Sequence, residues 1–327
     1  MPVDLWSSTA FVEEARAWVA DRVRPLGMTL TGEWEQPHCR PWSSAIRFES
    51  DGGRLWFKVN GPGTSYETGV VDRLSRLAPD LVPELLADDL ERAWTLTRDA
   101  GPVMRSVAPP EELWRSWEGV LGRYAEAQVR LAEHRVTLLE AGAQDLSPTT
   151  LPDHARKLLD QLAGTPPEDG GLTRDEAASM EALLPEYDAW CEALAHSGVP
   201  DSVQHDDLHS SNVCWNGSVE TARIIDWGDT YVGCPLATML CTMNSIAWHA
   251  KREVDDPLVL RVRDAYLEPF TAFATRTELV EYVDLARRTG AVPRAISYQH
   301  AFEGEPRSAE EEMEWPVRGW FLEMREL

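Results

Sequence analysis

The chain is expected to fold as an α+β protein of two lobes, a small strand-rich lobe followed by a larger helical one. Three observations predict this. SAIRFES and RLWFKVN, at 44–50 and 54–60, read as strands joined by Asp51-Gly52-Gly53, a hairpin signal. AWTLTRDAGP, at 93–102, returns to strand character and ends in a turn at Asp99–Pro102. From about residue 110 onward the apolar residues follow helical spacing.

Taken in order, a short helix is expected at about 9–20, ahead of the hairpin. In the second hairpin strand Leu55, Phe57 and Val59 alternate with Trp56, Lys58 and Asn60, giving one apolar and one mixed face. TSYETGVVDRLSRL has a helical stripe of Val70, Val71, Leu74 and Leu77. Residues 1–98 form the expected N-terminal lobe and 99–327 the C-terminal lobe, with a hinge at about 98–102. In the second lobe Leu113, Trp117, Val120, Leu121, Tyr124 and Leu131 line one side of a long helix. After the loop TPPEDGG, Thr173 and Glu176 form a capping box opening a helix with buried Met180, Leu183, Leu184, Tyr187 and Leu194, and Pro185 as a kink. Helical patterns resume from LATMLCTMNSIAWHA to the end. Two lobes joined in this way commonly place a site in the cleft between them.

A 43% hydrophobic content with 14 tryptophans excludes a disordered chain. A net charge of -24 repels phosphate backbones and anionic lipids, so nucleic acid and membrane surfaces are not expected partners. The same charge suits cationic ligands. The N-terminus has no secretion signal, and no apolar run reaches the ~20 residues of a membrane helix. Five scattered cysteines without a CxxC pair fit reduced thiols and a cytoplasmic location. Oligomeric state is not readable from the sequence.

The chemistry concentrates in SVQHDDLHSSNVCW, at 202–215, where His205, Asp206, Asp207 and His209 fall within five positions and Asn212 follows. VCW and RIID, separated by an Asn-Gly turn signal, read as paired antiparallel strands with Val213 near Ile225. Asn212 and Asp226 then face each other at the hairpin base. An amide oxygen and a carboxylate placed so can share Mg²⁺, which takes a few protein oxygens and fills its remaining positions with water and phosphate. One aspartate to position a hydroxyl, with an asparagine and a second aspartate for metal, is the layout of phosphoryl transfer. The spacing Asp207-x-x-x-x-Asn212 matches a kinase catalytic loop, and IIDWGD stands where kinases carry their metal-binding Asp-Phe-Gly.

HDDLHSSNV followed by IIDWGDTYVGCP resembles the aminoglycoside phosphotransferase family, small-molecule kinases of the protein-kinase-like fold. The resemblance extends over most of the chain, through FKVN, YETGVVDRLSRLAPDLVP and WTLTRDAG. It implies Asp207 as catalytic base, Asn212 and Asp226 as Mg²⁺ ligands, and Lys58 on the phosphates of ATP or GTP, held by Glu67. Independently, Glu67 precedes Val71 and Leu74 by four and seven positions, on the inward stripe where an unpaired carboxylate is costly. Two departures stand out. The family usually has glycine where this chain has Asp206, although aspartate tolerates positive φ better than most residues. No G-x-G-x-x-G is present, and RPWSSAIRF occupies its position.

Plainer readings stand beside these. Thr64-x-x-Glu67 is also a capping box, and Lys58 alone is an ordinary strand lysine. A His/Asp metal hydrolase needs further ligands, for which His134, His154, His249 and His300 are available without a motif around them. His205 and His209 are expected to buttress the loop, Asp229 to cap a helix or bind substrate, Trp315 and Trp320 to lie in the core, and SAEEEMEW to start a solvated helix. The expected acceptor is an aminoglycoside-like amino sugar antibiotic, met by carboxylates at Asp206, Asp229, Glu303 and Glu305. The alternatives are a metabolic kinase of a non-antibiotic sugar or amino alcohol, and a catalytically silent nucleotide-binding regulator.

Overall fold

The computed structural model describes residues 2–107 and 113–327. After a one-turn helix at Pro2–Trp6, α1 (Thr9–Val23) takes an N-cap from Ser8, whose hydroxyl accepts from the Phe11 N–H. Five antiparallel strands follow: β1 (Leu30–Arg40), β2 (Ser43–Ser50), β3 (Gly53–Asn60), β4 (Leu85–Asp89) and β5 (Trp94–Arg98), in the order β1-β2-β3-β5-β4. The expected hairpin is β2–β3. β1 and β4 have no expected counterpart, because neither alternates: β1 is mostly exposed or half-buried along its length.

Alternation on β3 divides its residues. Leu55, Phe57 and Val59 join Phe11, Trp18 and Trp94 in a core beneath α1. Phe57 and Trp94 meet edge to face at 5.1 Å, and Trp18 meets Trp94 at 5.5 Å. Trp56, Lys58 and Asn60 therefore face the cleft. Helix α2 (Glu67–Leu77) buries Val70, Val71 and Leu74 among residues of the second lobe, so it packs into that lobe's core. Tyr66 adds a tie by donating its hydroxyl to the Gly228 carbonyl at 2.5 Å.

In the second lobe α3 (Leu113–Leu131) buries Trp117, Val120, Leu121, Tyr124 and Leu131, the expected face; positions 110–112 of the expected helical region lie outside the described residues. Helix α4 (Arg174–Ala195) opens with the expected Thr173/Glu176 capping box and carries Pro185 within it. Strands β6 (Gln144–Asp145), β7 (Ser202–His205) and β10 (Thr230–Gly233) form a small sheet in the order β6-β10-β7, and β8 (Val213–Cys214) pairs with β9 (Arg223–Ile224). Gln128, fully buried on α3, donates to the Val203 carbonyl at 2.8 Å and fixes β7. Helices α5 (Thr238–Ala250) and α6 (Ala291–Ala301) close the lobe around the β7–β8 loop. The SAEEEMEW stretch gives only a helical turn within Arg307–Glu311, and Trp315 and Trp320 are half-buried. Among the described residues no helix is long and apolar enough to cross a membrane.

Candidate active site

The loop between β7 and β8 carries Asp206, Asp207 and Asn212, and its backbone is held from several sides. The His205 N–H donates to the Tyr124 hydroxyl at 2.9 Å, and Thr242 donates to the Leu208 carbonyl at 2.9 Å. His205 Nε2 lies 2.9 Å from the Ile225 carbonyl, and its ring packs edge-on against Trp227 at 4.8 Å. Burial holds this imidazole below its ordinary pKa, so it is a neutral strut. His209 does more than buttress: its Nε2 is 3.3 Å from Asp207 Oδ2.

The β8–β9 register is one residue shorter than expected, with Val213 opposite Ile224 rather than Ile225. The Ile225 N–H instead donates to the Asn212 carbonyl at 2.9 Å, so Asp226 still emerges just past the hairpin base. Asp226 takes left-handed backbone angles, φ 66° and ψ 62°, uncommon for a residue with a side chain and frequent at functional sites. Asp206 does not take positive φ, so aspartate fits there without the freedom of glycine. Asn212 donates Nδ2 to the Asp207 carbonyl at 2.9 Å, which leaves Oδ1 for another partner.

From the first lobe, Lys58 Nζ lies 2.7 Å from Glu67 Oε2 and 2.5 Å from Asp226 Oδ1. The Trp227 N–H also donates to Glu67 Oε1 at 3.1 Å. The capping box alternative does not form: Thr64 donates to the Trp42 carbonyl, and the helix N-cap is Tyr66 without a side-chain bond. Burial alone would lower the Lys58 pKa, but Asp226 and Glu67 outweigh it and raise it. The ammonium is charged at any physiological pH.

The residue that sequence reasoning missed is Arg294 on α6, 7% exposed. Its Nη2 donates to Asp207 Oδ1 at 2.7 Å and its Nη1 to Asp229 Oδ2 at 3.0 Å, with Asp206 Oδ2 at 3.8 Å. Its guanidinium also lies over the rings of Tyr298 and Trp320, at 5.2 and 5.7 Å. Burial would raise Asp207, yet Arg294 and the His209 contact hold it well below the usual carboxylate range. Asp206 and Asp229 behave oppositely: burial, opposed by Arg294, pushes them up to about 7 and about 6. Cys241 adds a thiol donor to Asp207 Oδ1 at 3.3 Å. Asp229 is thus committed to Arg294 rather than to a helix cap. Glu303 and Glu305 follow the end of α6 and line neither cavity of the cleft described below.

Two cavities of about 320 and 220 Å³ occupy the cleft and share a wall of His38, Ser43, Lys58, Glu67, Asn212 and Asp226. The larger is mainly apolar, between Ala45, Val82, Cys214 and Ile225, and reaches the chain crossing at Arg98–Gly101. The smaller holds Asp207, His209, Asp229, Arg294 and Tyr298. Asp226 and the free Oδ1 of Asn212 fit a hard cation at the shared wall, which would leave its other positions to non-protein oxygens. The metal-hydrolase alternative finds no support: among the described residues no three His, Cys, Asp or Glu side chains gather as a metal site.

A family model described as "Phosphotransferase enzyme family" matches residues 42–282. Among solved structures, the chain is similar to a macrolide 2'-phosphotransferase from Brachybacterium faecium, with TM-score 0.58 and 14% identity over 93% of this chain and 97% of that one. A choline/ethanolamine kinase family protein from Mesorhizobium loti gives 0.54 and 17%, over 96% and 98%. A choline kinase from Cryptosporidium parvum gives 0.57 and 10%, over 95% of both chains. At these identities the likeness is one of fold. No curated protein sequence matches the chain significantly.

Proposed function

The chain belongs to the phosphotransferase enzyme family, as a small-molecule phosphotransferase acting on hydroxyl groups, and we propose that it moves the γ-phosphoryl group of ATP or GTP with Mg²⁺. The observation that carries this reading is the pair of cavities meeting at Lys58, Asn212 and Asp226, with Asp207 on the smaller one alone. The nucleoside takes the larger cavity and the acceptor the smaller. In this reading residues 1–98 are the nucleotide-binding lobe, and 99–327 supply the catalytic loop and the acceptor pocket.

Lys58, oriented by Glu67, neutralises phosphate charge. Asn212 and Asp226 would hold Mg²⁺, which when bound would neutralise phosphate charge. Asp207, aimed by Arg294, His209 and Cys241, accepts the hydrogen bond of the attacking hydroxyl. A carboxylate held at so low a pKa is a weak base. It serves first to orient the hydroxyl, which suits a loose transition state in which the proton leaves late. Lys58, Asp207, Asn212 and Asp226 converging on one cleft argues against a catalytically silent regulator.

For the acceptor, Arg294 favours the second of the two sequence readings. Of the four carboxylates expected to meet a polycation, Asp206 and Asp229 already share a buried guanidinium with Asp207, and Glu303 and Glu305 stand outside the pocket. A compact sugar or amino alcohol suits this pocket better than an aminoglycoside-like antibiotic with several ammonium groups. The test is a panel of both classes with ATP and with GTP, read by ADP or GDP release. A KM that rises steeply between low and ~0.5 M salt, with antibiotic amino sugars as the best substrates, would return the assignment to the polycation.

A further inference from the structure

The β1–β2 turn at Pro41–Trp42 lies between His38 and Ser43, which are part of the wall shared by the cavities, where a nucleotide's terminal phosphates belong on the reading above. It has no glycine, and it is pinned. The Trp42 carbonyl accepts from the Gly61 N–H and from Thr64 Oγ1, each at 2.7 Å, and the indole meets Phe302 edge-on at 6.1 Å. With no glycine to let the backbone approach closely and Pro41 lacking an N–H, side chains on this side are candidates for phosphate contacts. On β3, Asn60 stands two residues beyond Lys58 on the same cleft-facing side, roughly 7 Å along the strand. It is paired in register with Ser43 of β2, which is itself 2% exposed and has Oγ 3.1 Å from His38 Nε2.

Asn60 is only 6% exposed, yet neither Oδ1 nor Nδ2 has a hydrogen-bond partner among the described residues. A buried amide with both ends unpaired is rare in a folded chain and calls for a partner supplied from outside. Asn60 lines the smaller cavity beside Lys58 and Asp207 and is absent from the wall of the larger one. This places it at the transferring end of the nucleotide, away from the base. We infer that Asn60 is a specificity-determining contact to the terminal phosphoryl group, donating Nδ2 to a γ-phosphate oxygen in place of glycine-loop backbone. The inference rests on the nucleotide reading proposed above.

The experiment is calorimetric titration of the wild type, Asn60→Leu and Asn60→Ser with Mg²⁺-ADP and with the Mg²⁺ complex of a non-hydrolysable β,γ-imido ATP analogue. Leucine matches the amide in size, and serine covers the case in which Asn60→Leu does not fold. The expected result is a loss of roughly tenfold or more for the imido analogue, with ADP affinity changed less than twofold. Asn60→Leu should melt no lower than the wild type, since it removes an unpaired buried amide. Equal losses for both nucleotides, or retained affinity for the analogue, overturn the inference and leave the nucleotide reading intact. A wild type that binds neither nucleotide overturns both.

Discussion

Replacing Asp206 with asparagine should flatten the dependence of stability on pH between pH 5 and pH 8. The Asp206 side chain is 2% exposed, and its nearest partners are Ser297 Oγ at 3.5 Å and Arg294 Nη1 at 3.8 Å. The better-placed donors of Arg294 go to Asp207 and Asp229. Burial therefore pushes the Asp206 carboxyl up to about 7, with Arg294 opposing and Asp229 and Asp207 reinforcing. An unfolded aspartate titrates near ~3.9. A carboxyl raised on folding binds its proton more tightly in the native state. Its stabilisation is complete below ~4 and is lost as pH rises through about 7. Between pH 5 and pH 8 that is about 2–3 kcal/mol, at ~1.4 kcal/mol per unit below the folded pKa. Asparagine resembles the protonated acid and does not titrate. Urea unfolding of both proteins at pH 5, 6, 7 and 8 should show the variant gaining that amount relative to the wild type as pH rises. Buried His205 contributes with the opposite sign, but equally in both proteins, so its contribution cancels in the difference. A difference that stays constant with pH would mean that Asp206 is ionised throughout, and that Arg294 neutralises three carboxylates rather than two.

Three further outcomes are expected. Asp207→Ala should cut turnover by roughly 10³-fold or more while Mg²⁺-nucleotide affinity, followed by titration, changes little. If instead Asp207→Ala keeps turnover and Asp206→Ala loses it, the register assigned to the catalytic loop is wrong. Asp226→Ala should lower both nucleotide affinity and turnover in the same assays, because on the proposed reading the wall shared by the two cavities loses its Mg²⁺-holding carboxylate. Arg294→Met should cost about 3–5 kcal/mol by stranding buried carboxylates, a drop of roughly 10 °C in melting temperature. The loss should be smaller at pH 5.5 than at pH 8, since the stranded acids can then take up protons.

What was legible in the sequence is what local spacing dictates. The Asp207 loop and the Asn212/Asp226 hairpin are separated by few residues, and antiparallel geometry brings their ends together within a one-residue error of register. Glu67 was readable because a carboxylate on an inward helical stripe requires a cation, and Lys58 on the preceding strand supplies it. β1 and β4 were not readable because both lack the alternation that marks a half-buried strand. Glu303 and Glu305 were misplaced because the helical pattern was followed past Ala301, where α6 stops and the chain leaves the cleft. Arg294 meets Asp207 across 87 positions and belongs to no motif. Its one signal was a lone charge in the apolar run AVPRAIS, flanked by Val292, Ala295 and Ile296, all of which are buried.

That missed arginine bears on how the site comes to exist. Asp206, Asp207, Asp226 and Asp229 come from one short stretch of an already acidic chain, and like charges so close repel in any compact state. The two cations that touch them arrive from opposite ends of the fold: Lys58 from β3, held by Glu67 of α2, and Arg294 from α6. Each cation is spent on a different carboxylate pair, Lys58 on Glu67 and Asp226, Arg294 on Asp207 and Asp229. The cleft is thereby divided into two sides, each with its own buried counter-charge. Neither half is stable without the tertiary structure that delivers its cation. Catalytic geometry in this chain should therefore be lost together with the packing of α6, before the second lobe as a whole unfolds.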